Sequence, residues 1–147
     1  MAANPTAYRD AERNNDSDRN AQVFKDFNLN FTRHPVTGDI AKLTNISAVK
    51  ASVKNLVMTN FYERPFHPEI GSDVRRTLFE PVDETTAMNL TTYIEEVIVN
   101  YEPRADLASV RVDADIDRNG YNIVIEFYLR NSEEGLISMD VQLQRLR

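Results

Sequence analysis

Acid–base chemistry is the first thing these side chains offer, because 23 residues are Asp or Glu while histidine occurs twice and cysteine not at all. Glycoside hydrolysis needs two opposed carboxyls, one of them kept protonated by its surroundings. Glu69 with Asp73, and Glu95 with Glu102, supply the residue types. In so acidic a chain such pairs are common, and no tryptophan or substrate-binding aromatic cluster accompanies either. Glu95 and Glu96 are expected on the solvated side of a helix. His34 and His67 stand beside prolines on separate loops, without the helix-borne spacing of a zinc site. A Ser/His/Asp triad would have to be assembled from residues with no local signature. Four glycines form no phosphate-cradling loop. The expectation is no catalytic residue, no metal and no cofactor.

Composition narrows the class further. A chain of 147 residues fits one domain and can bury a core without disulfides. With 41% hydrophobic and 27% charged residues it reads as a soluble globular protein. Lacking cysteine, it suits a reducing cytoplasm. Its 17 basic residues leave a net charge of −6, a field that repels phosphate backbones, so no nucleic-acid partner is expected. The opening Met-Ala-Ala-Asn-Pro is neither basic nor apolar enough for a secretory leader. No stretch has the apolar length of a membrane span, so no membrane partner is expected either.

The elements that would position any site follow from periodicity. Residues 1–22 alternate in charge with almost no apolar spacing and read as a mobile arm ahead of a single domain over 23–147. Phe27, Leu29 and Phe31 alternate with polar residues as in a strand, and the turn residues His34 to Asp39 lead into a return at Ile40. Ile46, Val49, Val53, Leu56 and Val57 have helical spacing, which predicts a helix over 45–60 capped by Thr44 or Asn45. A short helical piece is expected over Asp73–Phe79. A long helix then runs from the cap Asp83 along Ala87, Leu90, Ile94, Val97, Ile98 and Tyr101 until Pro103 stops it. Val110, Val112, Ala114 and Ile116 begin a meander. Asn119-Gly120 is its first turn, with both residues able to take φ > 0. Ile123, Ile125, Phe127 and Leu129 return, Glu133-Glu134-Gly135 turns again, and Ile137, Met139, Val141 and Leu143 complete it. The class is α+β: two main amphipathic helices packed on a C-terminal three-stranded antiparallel meander, plus an N-terminal strand or hairpin.

Two proline-containing segments and one strand remain as candidate sites. Arg64-Pro65-Phe66-His67-Pro68-Glu69-Ile70-Gly71 is stiffened by its prolines. It is either a connection packed on its own domain through Phe66 and Ile70, or a docking loop that loses little entropy on binding. Tyr101-Glu102-Pro103-Arg104 is either a helix stop with solvated charges, or a rigid turn holding Glu102 and Arg104 for a partner. Residues 136–144 are either a covered edge or an exposed one, with the backbone N–H of Gln142 available to another chain.

On these motifs, in this order before a C-terminal meander, the chain resembles the sheath-initiating baseplate wedge family of contractile-tailed phages such as the T-even group. That family is sometimes labelled lysozyme-like and has relatives in type VI secretion baseplates. The resemblance spans roughly residues 40–147, and the Glu-Pro-Arg triplet is the family's hallmark. It implies a structural, non-enzymatic virion subunit of the tail baseplate, assembled in the host cytoplasm. It also implies two kinds of partner: other wedge proteins, including a helical core bundle met by the triplet, and the tail sheath protein, joined by strand addition. The interface residues so implied are Glu102, Pro103, Arg104, Arg64, Pro65, Phe66 and Pro68, with Gln142 on the edge strand. A peptidoglycan hydrolase of the tail and the equivalent subunit of a secretion or injection machine are the alternatives.

Overall fold

The computed structural model describes residues 24–132 and 134–146, so the arm expected over residues 1–22 lies outside the described residues. In sequence the chain divides into two units, between Ala48 and Val49, a division that composition does not announce.

In the first unit, β1 (Lys25–Phe27) pairs antiparallel with β2 (Lys42–Thr44), Lys25 opposite Thr44 and Phe27 opposite Lys42. A further bridge joins Arg33 to Ile40, and His34 N–H donates to the Asp39 carbonyl at 2.7 Å. Gly38 takes the left-handed φ of 72° that the turn between them needs. The hairpin is as expected, but the strand does not run on to Phe31. The Asn28 side chain accepts the Asn30 N–H at 3.0 Å and its carbonyl accepts the Phe31 N–H at 2.9 Å. Such local bonds compete with a ladder and curl the chain after Phe27.

Helix α1 (Asn45–Met58) begins at the end of that unit and runs through the start of the second. The Asn45 side chain accepts the Phe24 N–H at 3.3 Å and so tethers β1 to the helix start. In the second unit Val49, Val53, Leu56 and Val57 are buried at helical spacing. A short α2 (Val74–Thr77) precedes α3 (Glu84–Tyr101). Asp83 caps α3 as expected, its Oδ1 accepting the Thr86 N–H at 2.7 Å. The stripe Ala87, Leu90, Ile94, Val97 and Ile98 is buried, and α3 packs along β3 (Ala105–Asp115).

The sheet is antiparallel in the order β3, β4 (Gly120–Leu129), β5 (Ile137–Gln144). Its register aligns one apolar row across three strands: Val112 opposite Ile123 opposite Val141, and Val110 opposite Ile125 opposite Met139. A slip of one residue would turn that whole row to solvent, so burial fixes the register. Strand β3 starts earlier than the alternation predicts, at Ala105, and reaches Val110 past a bulge between Leu107 and Ser109. Ile116 does not join the apolar face. It is 73% exposed in a four-residue turn, where the Asp115 carboxylate accepts the Arg118 N–H.

Of the turn pair Asn119-Gly120, Asn119 alone takes the left-handed conformation, at φ 55°. Gly120 already lies in β4, opposite Asp115, and is needed for space: a Cβ there would stand 2.6 Å from the Leu143 carbonyl oxygen. Gly120→Ala should therefore push β4 and β5 apart and cost about 1–3 kcal/mol in denaturant unfolding. Gly135 has nothing within 4 Å of such a Cβ. Gly135→Ala should stay within about 0.5 kcal/mol of the parent. Equal costs at both sites would show that the close approach at Leu143 does not govern the pairing.

Candidate protein-binding surfaces

Helix α3 must hand the chain to β3 within three residues, and Glu102 carries that turn. As C-cap its N–H still donates to the Ile98 carbonyl, while the following proline holds it outside helical dihedrals, at φ −123° and ψ 76°. This geometry turns the side chain inward, leaving the residue 2% exposed. Arg104 closes on it as a fork, Nε to Oε1 at 2.6 Å and Nη2 to Oε2 at 2.9 Å. Burial pushes the Glu102 carboxyl up, but bonds from Arg104 and from the Ser52 side chain outweigh it, so the net position is below the ordinary carboxylate value. The Arg104 carbonyl accepts the Arg130 N–H at 2.9 Å, tying the turn to the end of β4.

The expectation of two charges held outward therefore needs correcting for Glu102. Pro103 is exposed and Arg104 half-buried, but the carboxylate is internal. An unpaired buried charge costs several kcal/mol, so the fork stabilises this turn from within.

The loop after α1 is tightly closed. Ser72 N–H donates to the Thr59 carbonyl at 2.9 Å, and Tyr62 N–H to the Pro68 carbonyl at 2.9 Å. The Ser72 hydroxyl donates to the Val57 carbonyl. A Cβ on Gly71 would stand 2.5 Å from the Asn60 carbonyl carbon and the Phe61 nitrogen, so only glycine permits the crossing. Arg64, Pro65, Phe66 and Pro68 all project into solvent. Phe66 is 97% exposed at φ 69°, so it does not pack on its own domain, whereas Ile70 is half-buried. The Tyr101 hydroxyl donates to the Glu69 carbonyl at 2.8 Å, joining this loop to the end of α3. The periodicity alone, which makes Tyr101 part of the helix stripe, does not predict that link.

Gln142 is exposed on β5, opposite Asn122. In an antiparallel ladder, alternate residues direct both backbone groups away from the neighbouring strand. Arg145 N–H donates inward to the Asn119 carbonyl, whereas Leu146 N–H donates away, to the Leu78 carbonyl. The even-numbered residues of β5 thus face outward. Lys50, on α1, donates its Nζ to the Ser138 carbonyl at 2.6 Å. Between these two caps, the backbone groups of Asp140 and Gln142 have no partner among the described residues.

The carboxylate pairs read from the sequence fare differently. Glu95 is exposed and Glu102 buried. Glu69 and Asp73 line one groove, but Glu69 bonds His67 at 3.0 Å. Its own backbone N–H and that histidine hold its carboxyl below the ordinary value. His34 Nδ1 accepts the N–H groups of Val36 and Thr37 within its hairpin turn.

A family model described as baseplate wedge protein gp25 matches residues 45–134. Baseplate wedge protein gp25 of Enterobacteria phage T4 is 30% identical over 105 residues, covering 71% of this chain and 80% of that protein. The pyocin R2 baseplate contains a chain at TM-score 0.53 and 25% identity, covering 67% of this chain and 97% of that one. The anti-feeding prophage baseplate contains another at TM-score 0.56 and 22% identity, covering 84% and 87%. A Geobacter sulfurreducens protein named as a tail lysozyme has TM-score 0.60 and 20% identity, covering 67% and 89%. At these last two identities the likeness is one of fold.

Because the folded carboxyl of Glu102 lies below its unfolded value, its stabilisation is complete above the unfolded value and lost as pH falls through the folded one. Glu102→Gln should cost about 2 kcal/mol near neutral pH. The gap to the parent should close on acidification through and below the carboxylate range. Thermal melts across that range test this, and a gap that is absent at neutral pH, or widens in acid, would show that the fork does not stabilise the turn.

Proposed function

The chain belongs to the gp25 baseplate wedge family, and from that premise we propose that it is a structural, non-enzymatic subunit that joins a contractile-tail wedge and starts the sheath. The observation that carries this reading is the short outward-facing stretch of β5 at Asp140 and Gln142, placed between the Lys50 and Leu78 caps. An extended segment of the sheath protein adds there as a fourth strand, backbone to backbone, which gives affinity without a side-chain pocket. Wedge partners take the other surfaces, the Arg64–Pro68 loop and the turn at Pro103 and Arg104. Within that turn Glu102 positions Arg104 rather than touching a partner, because its carboxylate is buried. Assembly takes place in the host cytoplasm, and the finished subunit resides in the virion baseplate.

Two other readings rest on specific observations. The likeness to a protein named as a tail lysozyme favours a hydrolase. Against it, a general acid needs a carboxyl held above its ordinary value, while Glu69 and Glu102 are both held below. The likeness to pyocin and anti-feeding prophage baseplates favours an injection particle over a phage, and capsid genes beside the coding sequence decide between those.

Purified protein incubated with peptidoglycan should release no reducing ends above buffer. Turnover that disappears in Glu69→Gln would replace the structural reading with an enzymatic one.

Gln142→Pro removes an outward donor and should leave stability within about 1 kcal/mol, since proline is tolerated on an edge. Val141→Pro removes an inward donor and should cost about 2 kcal/mol or more. Sedimentation with purified sheath protein reads attachment. The Gln142 variant should stay folded and fail to recruit sheath; a folded variant that still recruits it refutes strand addition here.

A further inference from the structure

Strand β3 is the other edge of the sheet, and the ladder fixes where its backbone groups point. The odd-numbered residues of β5 bond inward, so their partners on β4, Ile123 opposite Val141 and Ile125 opposite Met139, bond β5. The even-numbered residues of β4 therefore bond β3, Asn122 opposite Asp113 and Val124 opposite Arg111. The Arg130 N–H, donating to the Arg104 carbonyl, follows the same alternation. That leaves the N–H and C=O groups of Val110, Val112 and Ala114 directed away from the sheet, with no partner among the described residues. The side chains of these three are half-buried, whereas Ile125, Ile123 and Tyr121 opposite them on β4 are buried. This edge is open in both backbone and side chain.

The residues along it complement themselves. The bulge between Leu107 and Ser109 and the end of β3 bound a regular stretch from Ser109 to Asp115, whose midpoint is Val112. When two copies lie antiparallel about Val112, each Val112 exchanges both backbone bonds with the other. Val110 then lies opposite Ala114 of the second copy, and Arg111 opposite Asp113, twice by symmetry. Arg111 and Asp113 are exposed on the outer face and make no ion pair among the described residues. Opposite charges in directly facing positions stabilise a strand pair, and like charges there destabilise it. Moving the centre to Arg111 sets that arginine against itself, and moving it to Asp113 does the same to the aspartate. Charge and strand length thus select one register and one occupant. The same register carries the apolar row of Val112, Ile123 and Val141 on into the second sheet.

We propose that β3 is a self-pairing edge, by which two copies of this chain join antiparallel over Ser109–Asp115 into one continuous sheet. The pairing leaves each β5 at an outer end, so it does not rest on strand addition there.

Sedimentation equilibrium of the full chain from micromolar to millimolar concentration should show a reversible monomer–dimer equilibrium, with amide exchange slowed at Val110, Val112 and Ala114 in the dimer. Arg111→Asp and Asp113→Arg each put like charges at both contacts. Each alone should weaken association at least about tenfold while melting near the parent temperature, since both side chains are exposed. An equimolar mixture of the two variants restores opposite charges at both contacts and should associate about as tightly as the parent. The double variant Arg111→Asp with Asp113→Arg should do the same, and Gln142→Pro should leave association unchanged. A parent chain that is monomeric at millimolar concentration overturns the proposal. So do single variants that pair like the parent, a mixture that associates no better than its components, or a dimer lost in Gln142→Pro, which places the contact on β5. Sheath recruitment is read separately, and its failure leaves these outcomes untouched.

Discussion

Leaving an apolar helix for a strand within three residues drives a carboxylate to where water does not reach it. Pro103 keeps Glu102 out of the helix, and the packing of α1 near the end of α3 takes its side chain inward. A lone buried carboxylate is too costly to keep, so Arg104 must return across the proline to meet it. Once it does, Ser52 of α1, the end of α3, the start of β3 and, through Arg130, the end of β4 all refer to one point. The Glu-Pro-Arg triplet is thus a structural device, its buried carboxylate paired by its own arginine across the proline.

The sheet is finished by controlling its edges. A three-stranded antiparallel sheet has two, and either invites association with other chains. On β3 the bulge beyond Leu107 breaks the regular ladder, as bulges at edges do. On β5 a lysine cap at Ser138 and a backbone bond at Leu146 shorten the open stretch to a few residues. On that strand only the stretch around Asp140 and Gln142 is left open, which limits how far another chain can pair along it.

The loop between α1 and α2 shows a different economy. Its backbone bonds and the close approach at Gly71 fix it without burying its large side chains. Phe66 and Tyr62 are held into solvent in left-handed conformations, where a loop free to relax would fold them onto the core. Rigidity gained through the backbone leaves the side chains as contact area.

Much of the architecture was legible in the sequence. Helical spacing from Ile46 to Val57 and from Ala87 to Ile98, the Asp83 cap and the alternation from Ile123 to Val141 each depend on neighbours a few residues away, and the structure carries them as read. The exceptions were local as well: Asn28 curled a promising strand, and Ile116 fell into a turn that Asp115 stabilises. What the sequence could not determine was which polar groups would be inside. Glu102 and Arg104 look like any charged pair around a proline. The fork becomes internal only because α1 arrives from about fifty residues earlier to cover it. In the same way, Lys50 reads as a solvated helix residue until the last strand passes beside it 88 residues later. Period and propensity are properties of a short window, whereas burial and edge status are set by whichever distant segment packs alongside, and that is decided by the tertiary fold.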